Sequence, residues 1–319
     1  MRKFLTVFLV AVLTIALAAC GGNDESKKKE EKEEVKTETE SKTVNVKHEL
    51  GETEVSKNPE KVVVFDFGTL DTLDTLDIDV TGVPQQNIPE YLNKFSSEDY
   101  ENVGGLKEPD FEKISEIDPD LIIISGRQAD LYDQLSELAP TIYLGVDTNR
   151  YMDSFKENVA TIGEIFGKED EASKKLAEVD EMVTTTNDKA KEADMSGLII
   201  LANDDKISAY GPNSRFGLIH DVLGVEPADE GIEVSTHGMN VSFEYVTEKD
   251  PDILYVVDRG AAVGDESSAK IIVENKLMEK TKAFKEDNIV YLNADYWYLS
   301  GGGIVSVTEM IKEVDASLK

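Results

Sequence analysis

Two stretches of this chain repeat each other, and that repeat constrains the fold more than any other feature. Phe111-Glu-Lys-Ile-Ser-Glu-Ile-Asp-Pro-Asp-Leu-Ile-Ile-Ile-Ser-Gly-Arg127 recurs as Phe243-Glu-Tyr-Val-Thr-Glu-Lys-Asp-Pro-Asp-Ile-Leu-Tyr-Val-Val-Asp-Arg259. Seven of 17 positions are identical at a fixed offset of 132, and most others are like for like. Stacked-repeat proteins have periods of about 20–50 residues, so this interval means two similar domains instead. Each copy reads as a helix, an Asp-Pro-Asp turn, a buried strand and an arginine just past the strand end.

The rest of the chain fits that duplication. Strand signals at Lys61 to Phe65, Leu121 to Ser125 and Thr141 to Leu144 alternate with helical patterns, which implies a parallel α/β lobe over residues 44–150. Val44 to Val46 and Glu52 to Val55 open that lobe as a small hairpin. From Arg150 to Asp194 only helical spacing is present, through Phe155, Val159 and Ile162 and then Leu176, Val179 and Val183. This is expected to be a single long linker helix, residues 151–194, with Gly167 as the one place where it could break. Strand–helix alternation resumes over 195–319 as the second lobe. The fold class is therefore α/β, two similar Rossmann-like lobes on one connecting helix with a cleft between them.

The N-terminus carries an address. Arg2 and Lys3 precede a 16-residue uncharged run, Phe4 to Ala19. That is shorter than the roughly 20 residues a spanning helix needs and marks a secretory signal over 1–19. It ends Leu17-Ala18-Ala19-Cys20, which resembles a bacterial lipobox whose cysteine is lipidated; an ordinary signal ahead of a cysteine is the plainer alternative. Cys20 is the only cysteine, so no disulfide accounts for it. Residues 20–43 then read as a disordered charged tether. The soluble body is expected outside the cell, lipid-anchored at the membrane surface.

Charge removes several functions. With 65 acidic against 33 basic residues and a net charge of −32, the chain lacks the basic face that nucleic-acid binding requires. Only five of the basic residues are arginines, at positions 2, 127, 150, 215 and 259. No Gly-x-Ser-x-Gly or His-Glu-x-x-His motif is present, and no enzyme is expected.

Two α/β lobes on one helix behind a lipobox resemble a class III substrate-binding protein of an ABC importer. Asn58-Pro-Glu-Lys-Val-Val-Val64, Tyr210-Gly-Pro-Asn-Ser-Arg-Phe-Gly217 and Asp295-Tyr-Trp-Tyr-Leu-Ser-Gly-Gly-Gly303 are similar to its ferric-siderophore members. The nearest subgroup takes catecholates such as petrobactin. The resemblance implies capture of an anionic ferric siderophore and delivery to a permease and, through it, an ATPase. It implies a monomer with no cofactor, iron being the cargo. A haem- or corrinoid-binding importer component is the alternative on the same fold.

In open α/β sheets ligands sit beyond the carboxyl ends of the strands. Arg127 and Arg259 fall there, one per lobe, and Arg215 lies in the Gly-Pro-Asn-Ser loop. Their planar donor forks suit catecholate or carboxylate oxygens, although each could instead pair with one of the many carboxylates. Arg150 is read as structural. Tyr296 and Trp297 are expected to stack on catechol rings. The glycines before Ile304 suit anion contact at a helix start. By resemblance, His237 and Tyr298 line the cleft and ligate iron directly when its coordination is incomplete, phenolate being a natural ligand for the hard ferric ion. Also by resemblance, Glu112 and Glu244, equivalent in the repeat, dock into the two permease subunits.

Overall fold

Three consecutive valines make Val62–Val64 (β3) a strand buried on both faces, the signature of a central parallel strand. The computed structural model that shows this describes residues 42–264 and 269–319. The signal segment, Cys20 and all but the last two tether residues lie outside the described residues. Ahead of β3, Thr43–His48 (β1) and Gly51–Ser56 (β2) form the expected hairpin, with Val44 opposite Val55. Strand β3 is joined by Gly82–Val83 (β4), Glu101–Asn102 (β5), Leu121–Ile124 (β6) and Thr141–Tyr143 (β7). Together they form an all-parallel sheet of order β5-β4-β3-β6-β7. Helices α1 (Phe67–Thr75) and α2 (Phe111–Ile117) belong to this lobe.

The linker does break, at Gly167. It is two helices, α3 (Tyr151–Phe166) and α4 (Glu169–Ala193), not one. Gly167 adopts φ +62° and caps α3 in the left-handed conformation, which glycine enters without the steric cost of a Cβ. The break separates two allegiances. On α3, the Asn158 side chain donates to the Leu144 carbonyl of the first lobe at 2.8 Å. On α4, Asn187 donates to the Val222 carbonyl of the second lobe at 2.8 Å.

The second sheet contains Ser196–Asn203 (β8), Lys206–Tyr210 (β9), Met239–Val241 (β11), Ile253–Asp258 (β12) and Ile289–Leu292 (β13), in the order β11-β9-β8-β12-β13. Glu226–Pro227 (β10) pairs parallel with β8. Strands β8, β12 and β13 are parallel, but β9 and β11 run antiparallel. The alternation of strand and helix does not hold at β9. Only Asp204 and Asp205 separate it from β8, and a two-residue link permits only a hairpin.

The sequence repeat is a structural one. Helices α2 and α5 (Phe243–Lys249) both end on an aspartate in the left-handed region, Asp118 and Asp250. The second aspartate of each Asp-Pro-Asp turn ties down the neighbouring strand. Asp120 accepts the Lys61 N–H at 2.8 Å ahead of β3, and Asp252 accepts the Ser196 N–H at 3.0 Å at the start of β8. The repeat therefore fixes the register of each lobe's two central strands.

Between the lobes, α1 meets the C-terminal helix α6 (Ile304–Ser317). A Cβ on Gly68 would stand 2.6 Å from the Ser300 carbonyl oxygen, so this approach needs glycine. Asp71 of α1 accepts the N–H groups of Val305 at 2.8 Å and Ser306 at 2.7 Å, and Thr72 accepts that of Ile304 at 3.3 Å. The start of α6 is thus capped by the first lobe. The expected anion site behind the three glycines is corrected accordingly, because its donors are already taken.

Candidate ligand-binding site

The order of each sheet reverses beside its first strand, and the two repeat arginines stand at those reversals. In the first lobe β6 runs into Ser125, which opens the turn Gly126–Leu131; the buried Gln128 side chain accepts the Ser125 N–H at 3.1 Å and donates to the Leu106 carbonyl. Arg127 is held on that turn. In the second lobe β12 ends at Asp258, and Arg259 opens the helix Arg259–Val263, its guanidinium donating to Asn203 Oδ1 at 3.1 Å. Asp258 itself accepts the backbone N–H groups of Ala261 and Ala269.

Arg215 completes the group. Its loop is fixed by Asn213, whose N–H donates to Asp221 at 2.7 Å, and by the buried Ser214. The Tyr298 carbonyl accepts from Arg127 at 2.8 Å and also from Arg215. The Arg215 guanidinium lies 4.2 Å from the Tyr298 ring centroid, within cation–π range. Neither Arg127 nor Arg215 forms an ion pair with a carboxylate among the described residues. Arg150, by contrast, pairs with Glu157 at 2.5 Å on the surface.

The electrostatics follow from this crowding. Burial and the neighbouring Arg215 both lower the pKa of Arg127, with Asp66 opposing. Burial disfavours ionisation of the Tyr298 phenol, yet Arg215 and Arg259 outweigh it and hold its pKa below the ordinary tyrosine range. A positive field therefore converges on one phenol.

Three cavities of about 280, 520 and 620 Å³ share Tyr298 as a wall. Arg127 lines the first and third, Arg259 the first and second, and Arg215 the second and third. His237, on an exposed loop before β11, lines the second with Tyr298. Among the described residues no group of three or more His, Cys, Asp or Glu side chains could hold a metal ion.

Two aromatic expectations are corrected. Trp297 lines the third cavity, but it is 2% exposed and its indole donates to Glu313 at 2.6 Å, which leaves little of its ring face for a ligand. Tyr296 packs on Tyr91, with ring centroids 4.9 Å apart, and lines none of these cavities. Residues 295–299 form a π-helical turn, in which successive side chains point in different directions around the axis. Three consecutive aromatics cannot share one face, and Tyr298 alone presents its ring to the arginines. Sequence reasoning also missed Lys107, which lines the first two cavities, and Tyr143, which lines the third. Lys107 is one of 28 lysines spread along the chain and carries no motif that would single it out. Glu112 and Glu244 occupy the second positions of α2 and α5, exposed in both lobes.

Two lobes that enclose an arginine-lined cleft have the architecture of a solute-binding protein. Residues 62–296 match the periplasmic binding protein family, and the chain belongs to it. Among its relatives is the petrobactin-binding protein YclQ of Bacillus subtilis, 50% identical over 100% of both chains. The ferric-anguibactin-binding protein FatB of Vibrio anguillarum is 34% identical over 84% of this chain and 85% of its own. The crystal structure of YclQ superposes with a TM-score of 0.86 at 53% identity, covering 88% of this chain and 99% of that one. Like other members of its family, the protein binds its solute outside the cytoplasm and is not an enzyme.

Proposed function

We propose that this protein captures an anionic ferric siderophore of the catecholate, petrobactin-like class between its lobes and delivers it to an ABC permease coupled to an ATPase. The observation that carries this reading is the convergence of Arg127, Arg215 and Arg259 on Tyr298, without a carboxylate ion pair at Arg127 or Arg215 among the described residues. A ferric tris-catecholate carries about three negative charges by its own chemistry, and charge-assisted donors are the groups that hold such oxygens. The names of the relatives support a ferric siderophore over haem or a corrinoid. In this reading His237 and Tyr298 complete the iron's shell only when the siderophore leaves positions open, and the lowered pKa of Tyr298 favours the phenolate that would bind. Cys20 carries the lipid anchor, Glu112 and Glu244 dock on the permease, and the protein acts as a monomer.

Trp297 is the only tryptophan, and it adjoins Tyr298 in the chain, so its emission tests the reading. Ferric catecholate should quench it saturably through the complex's own visible absorption, and ferric citrate or ferric hydroxamate should do so more weakly. Tight quenching by haem or by a hydroxamate alone overturns the assignment.

A further inference from the structure

The largest of the three cavities has a floor that the arginines do not account for. Tyr151, the first residue of α3, is 7% exposed, lines this 620 Å³ space, and its hydroxyl has no hydrogen-bond partner among the described residues. Buried hydroxyls are nearly always paired, so an unpaired one in a cavity wall asks for a partner from the cavity. Gly301 leaves the approach open: a Cβ there would come 3.6 Å from the Tyr151 oxygen. A second phenol, Tyr143 at the end of β7, lines the same space and meets a glycine in the same way, Gly126, at 3.6 Å.

We infer that Tyr151 forms a donor subsite for an uncharged oxygen acceptor of the bound ligand, an amide carbonyl rather than an anionic oxygen. The fields at the two ends of the cleft differ. Around Tyr298 the charges are guanidiniums. Around the two other phenols they are carboxylates: after burial, the influences that raise their pKa values are Asp66 for Tyr151, and Glu49, Asp66 and Asp147 for Tyr143. Both phenols stay protonated, Tyr143 with a pKa of about 12, but the Tyr143 hydroxyl is hydrogen-bonded to Glu49, which leaves Tyr151 as the free donor. An anionic oxygen would meet like charge there, whereas a neutral carbonyl would not. The ligand class is thereby narrowed to ferric chelates whose catechol arms are attached through amides. This inference rests on the siderophore reading above.

The test compares two ferric probes with similar iron centres, the tris-catechol complex, which has no amide, and the tris complex of an N-alkyl-2,3-dihydroxybenzamide. Affinities of both are measured for wild type and Tyr151→Phe. We expect Tyr151→Phe to weaken the amide probe about five- to tenfold, the worth of one hydrogen bond, and to leave the catechol probe unchanged. An unchanged amide probe, or equal losses on both probes, overturns the subsite while the siderophore reading stands. Failure of wild type to bind either probe overturns that reading and the subsite with it. The melting temperature of ligand-free Tyr151→Phe gives an independent check. It should equal or exceed that of wild type, because the removed hydroxyl has no internal partner. A marked fall would show that it has one and overturn the inference.

Discussion

Tyr298 is the residue at which both lobes' cations meet. Its carbonyl gathers Arg127 and Arg215, its ring faces Arg215, and its phenol lies in the field of Arg215 and Arg259. Two measurable consequences belong to this scale. In ultraviolet titration one tyrosine should ionise below the usual value near 10. That step should vanish in Tyr298→Phe and move upward in Arg215→Ala, because the largest favourable charge is gone. Arg215→Ala should also weaken ferric catecholate binding roughly ten- to hundredfold, since hydrogen bonds to charged groups are worth about 1.5–3 kcal/mol. A tyrosine titration indifferent to Arg215 would remove the basis for both.

At the scale of elements, the decisive contact is α1 against the start of α6. Asp71 is 1% exposed, and burial raises its pKa to about 6, even though bonds from Val305 and Ser306 favour the carboxylate. An unfolded aspartate titrates near 3.9. Between those values the folded chain keeps a proton the unfolded chain has lost, so this group's contribution to stability is full below about pH 4 and is lost as pH rises through about 6. The loss amounts to roughly 3 kcal/mol. Asp71→Asn removes the titration. Urea unfolding at pH 4 and pH 7 should therefore show wild type losing about 2 kcal/mol of that relative to the variant, since an unfolded aspartate is already about half ionised at pH 4. A difference flat with pH would mean that Asp71 stays ionised in the fold.

At the scale of the whole molecule, a net charge of −32 surrounds a cationic cleft. An anionic ligand is repelled at long range and held at short range. Screening shortens from about 30 Å at 0.01 M salt to about 8 Å at 0.15 M. The association rate of a ferric catecholate should therefore rise severalfold over that interval, as measured by stopped-flow quenching. A rate that falls with salt would show that the cleft's own field reaches further than the surface charge. The repeat makes a second prediction. Charge reversal at both Glu112 and Glu244 should leave ligand affinity unchanged and cut transport in cells, since docking charges set register and on-rate. Normal uptake by the double variant would end that assignment.

Much of this was legible in the chain itself. The repeat fixed two related lobes, the hydrophobic periods fixed their strands and the helical linker, and strand-end positions brought Arg127 and Arg259 forward as a pair. These are local or self-similar signals, carried by a few consecutive residues. Other features depend on what lies across space. Gly167 marked where the linker could break, but that it does break follows from two lobes claiming its two halves. Trp297 is buried beside an open Tyr298 because a helical turn rotates one away from the other. The glycine-flanked start of α6 receives Asp71, a residue more than two hundred positions away, instead of a ligand. The sequence by itself determined the architecture and which side chains carry charge to the cleft. Only the tertiary structure decided which of them face one another, because facing is set by helical phase and by long-range packing that no local pattern encodes.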